Sequence, residues 1–546
     1  MDALIALTGP ESAVELTGAA RRMLDALWPA SERTEAVYTA DGIAIASART
    51  ASGTGTLGPP RLRVAGDVLF AQRFDWPAVG GPPDEGEEWL AMLGSEGPEA
   101  SPPSVQIAGV AWNAALCALT VLGDPMGESP FWYAAEGARL AVATHPAALL
   151  VLDWVTANPD PRATTPGWVL RADESRWLGI QRLPPGHLLV ASGAGLRTRR
   201  WCSLNPARLA ADPRDQEAWF ALTRDALVRA VTRRMPVGGV IGSQLSGGLD
   251  SSAVALVASR TLRAAGRDLH TFSHIPPVRW NPPQPGDETP YVEAALACMA
   301  NAVPHLLTGE TAESSAPNES LHSGHDREVG ATAKAAGVLC MLSGWGGDEG
   351  VSYNGDGVFA GELFRGRFLW VIRWCHRFGG GTLRGAVGTF RGKVIYQQLG
   401  WLRPTAVHRV MPREEVQRVV RSLEPLLRDE LLARRAAQQR LRQAASAHEN
   451  QRRLLASPHL ANRIGSDVEW SIPAGFCFRY PLLDPDLVSL VLAVPEPLFV
   501  LNGRTRTLLR QAMVGIYPEA IQRRHGKFVS HPRRPTLVAT DGPKPL

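Results

Sequence analysis

Lysine is nearly missing from this chain. Of 57 basic side chains only four are lysine, at positions 334, 393, 527 and 544. Arginine carries the generic positive charge, so a lysine inside a motif stands out; codon bias would explain the scarcity but not the placement. Cysteine is sparse as well. Cys117, Cys202, Cys298, Cys340, Cys375 and Cys477 are scattered without a Cys-x-x-Cys pair. That argues against a zinc knot or disulfide framework, and a reducing cytoplasm is the expected setting. Long apolar runs are absent. The stretch from Leu487 to Leu501 is broken by Pro495, Glu496 and Pro497 and falls short of the ~20 residues a spanning helix needs, so no membrane span is expected. The first residues carry Asp2 and Glu11 and no early basic residue, unlike a signal peptide. A net charge of +4 is too small to argue for nucleic acid.

What is present is enough chain for two large domains: 546 residues, 45% hydrophobic and 20% charged. The first part reads as short strands between Gly/Pro turns, among them 42–47, 62–64, 105–112, 115–122 and 139–143, and predicts antiparallel sheets. Residues 205–214 read as a linker. The texture then changes. A helical pattern over 217–234, with Phe220, Leu227 and Val231 on one face, precedes an apolar run at 240–245, a Gly-rich turn, a helix over 251–265 and a further strand at 269–273. Strand, helix, strand in that order predicts a parallel α/β sheet. The stretch 274–290 reads as a loop, 338–342 as another buried strand, and 413–453 as mainly helical with a solvated charged face.

The turn is Ser246-Gly247-Gly248-Leu249-Asp250-Ser251-Ser252. Glycines let backbone approach an anion closely. Serine hydroxyls and a helix N-terminus add donors and a positive dipole end. The combination cradles a phosphate or pyrophosphate. Asp250 is wrong for direct contact with an anion but right if Mg²⁺ lies between, since hard cations take carboxylate and phosphate oxygens together. A P-loop, a dinucleotide fingerprint and a nucleophile elbow all fail on spacing. A second loop, Ser343-Gly344-Trp345-Gly346-Gly347-Asp348-Glu349, also follows an apolar run. Asp348 there can offer a second carboxylate to the same ion if the two strands lie close. His322 and His325 have metal-pair spacing without an evident third ligand and read as loop residues.

These two loops resemble the synthetase domain of the asparagine synthetase superfamily. Arg479-Tyr480-Pro481-Leu482-Leu483-Asp484, Arg510-Gln511-Ala512 and the segment from Pro518 to Phe528 extend the likeness. In the first part, Gly123-Asp124-Pro125-Met126-Gly127 through Tyr133-Ala134, and Leu183-Pro184-Pro185-Gly186-His187, resemble that family's glutaminase domain. The resemblance implies an α/β protein with two parts and a tail. Residues 1–204 would form a class II glutaminase-like antiparallel β-sandwich. Residues 215–530 would form a pyrophosphatase-loop α/β synthetase domain, and 531–546 a flexible tail.

Two departures narrow it. Where a working glutaminase needs cysteine directly after Met1, this chain has Asp2, so the sandwich is expected to be inactive for want of a thiolate. Where asparagine synthetases carry Glu and β-lactam synthetases Tyr, it has Trp345, whose indole offers neither a useful acid nor an acceptor lone pair. Cys477 likewise stands where Glu is usual. Residues 344–349, Asn354-Gly355, Gly361-Glu362-Leu363 and Arg365-Gly366-Arg367 are most similar to the lasso peptide cyclase branch.

That resemblance implies adenylation of an Asp or Glu side chain of a core peptide by ATP. The peptide's N-terminal amine then attacks, giving a macrolactam, AMP and pyrophosphate. It also implies Leu245, Ser246, Gly247, Gly248, Asp250, Ser251, Ser252, Ser343 and Gly344 as ATP contacts, Asp250 and Asp348 as Mg²⁺ ligands, and Lys527 as the cation that meets the acyl-adenylate. The implied partners are the precursor peptide, a leader-binding protein and a leader peptidase, with no nucleic acid. The alternatives are a β-lactam synthetase or other amide ligase on a small substrate, and a non-catalytic scaffold.

Overall fold

The computed structural model describes residues 2–50, 62–65, 68–72, 108–156, 158–165, 168–207, 215–276, 287–309, 324–395, 424–441 and 446–524. Lys527, His322, the residues 531–546 and most of the 205–214 stretch therefore lie outside them.

The first strand, Asp2–Thr8, is apolar at nearly every position because the sheet that holds it is covered on both faces. In spatial order that sheet runs Gln181–Arg182, Trp132–Glu136, Arg139–Ala143, Asp2–Thr8, Ile43–Thr50, Arg33–Ala40, every pairing antiparallel. Side chains alternate across a strand. Leu4, Ala6, Ile43 and Ile45 accordingly face Val110, Trp112, Val121 and Leu189 of a second six-stranded antiparallel sheet. Ala3, Ile5 and Leu7 face the other way, toward Leu16, Ala20 and Met23 of the helix Ala13–Asp25 and toward Val468 and Ile472 of the helix Pro458–Ala474. The antiparallel sandwich expected from the alternating strands is present. Its outer face is closed by a helix that belongs to the second part of the chain.

Gln216–Thr232 opens that second part as a helix with Asp215 at its N-cap, the carboxylate accepting from Ala218 N. Five parallel strands follow in the spatial order Ala302–Leu307, Leu269–His274, Val240–Gln244, Val338–Leu342, Cys477–Arg479. The last of these was not expected: three residues carry too little periodicity to read as a strand. Successive strands are laid down to one side of Val240–Gln244 and then to the other. The order reverses between Val240–Gln244 and Val338–Leu342, and that is where the carboxyl ends of a parallel sheet open a crevice.

Within 413–453, residues 413–423 and 442–445 lie outside the described residues, and the rest depart from expectation in part. The helices are Pro425–Leu441 and Ala447–Leu455, but Arg434 is not on a solvated face. It donates to Glu174 and Glu430 and lies over the Trp168 ring at 4.8 Å, so it joins this helix to the sandwich. Among the described residues no helix is long and apolar enough to cross a membrane.

Candidate active site

The turn after Val240–Gln244 is shaped by Gly247, whose φ of 68° is in the left-handed region. A Cβ there would also sit 2.6 Å from Tyr291 Cβ and 3.0 Å from Val292 N. The helix begins at Leu249, two residues earlier than the sequence pattern suggests, with Gly248 as its N-cap. Asp250, Ser251 and Ser252 are thus its first turn. Their consecutive side chains fan out by about 100° each. Ser251 Oγ lies 3.0 Å from Ser246 Oγ and accepts from Ser246 N, and Gly248 N donates to Ser246 Oγ at 3.4 Å. Ser246 is exposed. Ser252 is fully buried, with no hydrogen-bond partner for its hydroxyl among the described residues. Leu245 places its side chain in the core and its amide on the carbonyl of Phe272.

The second loop lies directly against this turn, and glycine makes that possible. A Cβ on Gly344 would meet Ser251 N at 2.5 Å, and one on Gly347 would meet Asp250 Oδ1 at 2.2 Å. Ser343 closes the gap from the strand side, donating its hydroxyl to Gln244 Oε1 at 2.8 Å and its amide to the carbonyl of Arg479.

Asp250 and Asp348 converge on one cation. Arg506 Nη1 donates to Asp348 Oδ1 and lies 3.8 Å from Asp250 Oδ2. Arg506 itself has φ 60°, a backbone conformation that arginine seldom adopts. The two carboxylates hold its guanidinium above its ordinary pKa against the opposing effect of burial. A positive group at the meeting point of two carboxylates is the electrostatic test that a divalent cation would pose, and the donor set fits Mg²⁺. Two oxygens from the protein leave the remaining positions for phosphate and water. No larger cluster of His, Cys, Asp and Glu suited to a metal occurs among the described residues.

The last described stretch seals the turn from above. Arg524 donates to the carbonyl of Gly247 at 2.8 Å, pairs with Glu288 and lies over the Tyr291 ring at 4.3 Å. Tyr517 OH donates to the carbonyl of Leu249 at 2.7 Å, and Arg510 donates to the carbonyls of Gln522 and Arg524. Lys527 follows Arg524 by three positions.

Trp345 is 37% exposed and is not plain core. His459 meets its ring edge-on at 5.7 Å, and Arg463 lies over it at the same distance. His459 Nε2 is 3.1 Å from Glu349 Oε1, and its Nδ1 is 2.7 Å from Ser457 Oγ. Arg506 and His459 escaped sequence reasoning, while Glu349 and Arg524 fall in segments that carry the resemblance, with no role read for them. Arg506 and His459 each lie more than a hundred positions from the loop they serve, and only the abundance of arginine near the C-terminus hinted at the first.

Comparison with known proteins agrees with the loops. The asparagine synthase family model matches residues 222–316 and 326–536, more than half of the chain. Asparagine synthetase [glutamine-hydrolyzing] 3 of Bacillus subtilis is 27% identical over 192 residues, 33% of this chain and 31% of that enzyme. The maize asparagine synthetase [glutamine-hydrolyzing] is 40% identical over 95 residues, 16% of each chain. The chain thus matches less than a third of the length of these relatives. Among solved structures, the Bacillus subtilis glutamine phosphoribosylpyrophosphate amidotransferase covers 60% of this chain at 13% identity. That match takes in 89% of the amidotransferase, but its TM-score of 0.23 is below what a shared fold requires. On the match across both loops and the intervening sheet, the chain belongs to the asparagine synthase family, a family of ATP-dependent amide-forming ligases.

Proposed function

We propose that this protein is an ATP-dependent macrolactam synthetase of the lasso peptide type. It adenylates an Asp or Glu side chain of a core peptide and joins it to the peptide's own N-terminal amine. The observation that carries the reading is the convergence of Asp250 and Asp348 on one cation at the mouth of a Gly-Gly turn and helix N-terminus. Ser246, Ser251, Gly247 and Gly248 would bind the phosphates there through hydroxyl and backbone donors, with Ser343 and Gly344 lining the nucleotide. Asp250 and Asp348 would hold Mg²⁺, which when bound neutralises phosphate charge and polarises the α-phosphorus toward attack.

The peptide carboxylate oxygen attacks that phosphorus, and pyrophosphate leaves. The amine then attacks the acyl carbon, AMP leaves, and one proton must be taken from the new ammonium. Trp345 cannot take it. The Glu349–His459 pair beside Trp345 is the proton acceptor in this reading, and Lys527 is the cation that meets the negative charge on the adenylate. Trp345 also speaks against the small-substrate β-lactam route, in which Tyr at this position is a candidate base. A leader-binding protein and a leader peptidase would supply the free N-terminus.

ATP–pyrophosphate exchange driven by a core peptide tests the adenylation half directly. Exchange that requires the peptide's Asp or Glu and Mg²⁺ is expected. Exchange driven equally by free aspartate would move the assignment to a small-substrate ligase.

A further inference from the structure

The described stretch after the second loop has a charge and exposure pattern that the chemistry does not use. Residues 363–395 contain seven cations and no Asp or Glu; Arg365 and Arg367 pair with Glu362 and Glu496, and Lys393 with Asp356, all outside the segment, whereas Arg373 and Arg384 are exposed. The same segment folds as two helices, Phe368–Phe378 and Leu383–Phe390, packed so closely that a Cβ on Gly379 would lie 2.2 Å from the backbone of Gly385.

The first helix has three faces. Val371, Trp374 and Cys375 enter the core. Phe368, Leu369 and Ile372 point outward, with Leu369 83% and Ile372 65% exposed. Arg373 and Arg377 flank them, and Arg373, like Arg384, has no acidic partner among the described residues. The second helix buries none of its residues and exposes Leu383 at 80% and Val387 at 61%. Phe364, at the end of the preceding helix Val358–Phe364, is 68% exposed.

Exposed Phe, Leu, Ile and Val beside Arg373 and Arg384 form a surface that water penalises and phosphates attract. A nucleic acid would satisfy the arginines and leave the aliphatic side chains in water. A protein partner that takes these side chains into pockets is the competing occupant, and the self-association arm of the test addresses a second copy of the chain. We propose that this helical hairpin is an interfacial anchor that seats the enzyme on an anionic phospholipid surface, the aliphatic tips entering the acyl boundary and the arginines contacting headgroup phosphates. The inference does not depend on which amide the enzyme makes.

Flotation of the full-length protein with phosphatidylglycerol/phosphatidylcholine vesicles, and with phosphatidylcholine alone, tests it. The expected result is binding to the anionic vesicles that weakens with added salt. Leu369→Gln/Ile372→Gln/Leu383→Gln and Arg373→Glu/Arg384→Glu should each reduce it at least tenfold, with melting temperature unchanged because all five side chains are solvent-facing. Absence of binding to anionic vesicles overturns the proposal, as does equal binding by the apolar variant. So does loss of a self-associated species by that variant in sedimentation velocity without an effect on vesicles, which would assign the face to a second copy of the chain.

Discussion

Asp250 and Asp348 sit about a hundred positions apart in sequence and share one guanidinium, so each is expected to fail in the same way when neutralised. Asp250→Asn and Asp348→Asn should each lower pyrophosphate exchange by about 100-fold or more, the magnitude typical of losing one fixed electrostatic partner of a developing charge. The melting temperature should change little, and exchange at wild-type rate by either variant would remove the Mg²⁺ assignment. His459 belongs to the second half of the reaction. His459→Gln should leave exchange intact and slow amide formation by about 10²–10³-fold, as for loss of a general base. Equal slowing of both halves would make the residue structural. The carboxylates were readable from sequence because each sits in a Gly-rich loop after an apolar strand. His459 was not: it stands at the start of a helix more than a hundred residues from Glu349, and nothing local marks it.

At the scale of elements, the site depends on two loops lying in van der Waals contact, and two glycines separate the consequences of disturbing that. In Gly347→Ala the added methyl collides with the Asp250 carboxylate, the end of a side chain, so the carboxylate moves and exchange should fall while stability is nearly kept. In Gly344→Ala the collision is with the backbone of Asp250 and Ser251. There, unfolding free energy should drop by about 1–3 kcal/mol, as in other overpacked sites. Thermal melts and exchange rates on both variants check this; the reverse ranking would contradict the loop geometry. The strand–turn–helix order and the parallel sheet were legible because strand and helix periods differ. The helix start was misplaced by two residues because Leu249 and Asp250 look like loop when the N-cap is glycine and not serine or aspartate. The strand Cys477–Arg479 gave no periodic signal and is defined by its neighbours.

Across the whole molecule, several motifs that resemble the family turn out to join the two parts. Glu128, just past the Gly123–Gly127 segment, and Asp484, at the end of the Arg479–Asp484 segment, both bind the buried Arg234. Burial opposes ionisation of Asp484, but Arg234 and Arg233 outweigh it and hold the carboxyl below its ordinary range. Removing the shared cation leaves two buried carboxylates, so Arg234→Met should cost about 3–5 kcal/mol in denaturant unfolding. A loss under 1 kcal/mol would deny the cluster that role.

Asp467, which accepts from Tyr480 OH on the helix against the sandwich, behaves oppositely: burial raises its pKa to about 6. The folded protein then keeps a proton that the unfolded chain releases near pH 4. Stability from this group is present below about pH 4 and is lost as pH rises toward 6, by up to about 1.4 kcal/mol per unit. Asp124, also raised to about 6 by burial, contributes in the same direction. Asp467→Asn should flatten the fall in melting temperature between pH 4 and 6, and an unchanged slope would contradict it. The two-part organisation was visible in the change of sequence texture near residue 215. The docking of the parts through Arg234, Arg182 and Arg434 was not, because partners more than a hundred positions apart leave no local pattern.

The central claim is that adenylation and ring closure occur on one peptide. The direct test is the mass of a leader-free core peptide, with an Asp or Glu a few residues from its free N-terminus, after incubation with the enzyme, its pathway proteins, ATP and Mg²⁺. The account predicts a product lighter by one water, with one AMP and one pyrophosphate formed for each. Folded enzyme that yields neither AMP nor a mass change under those conditions would contradict it.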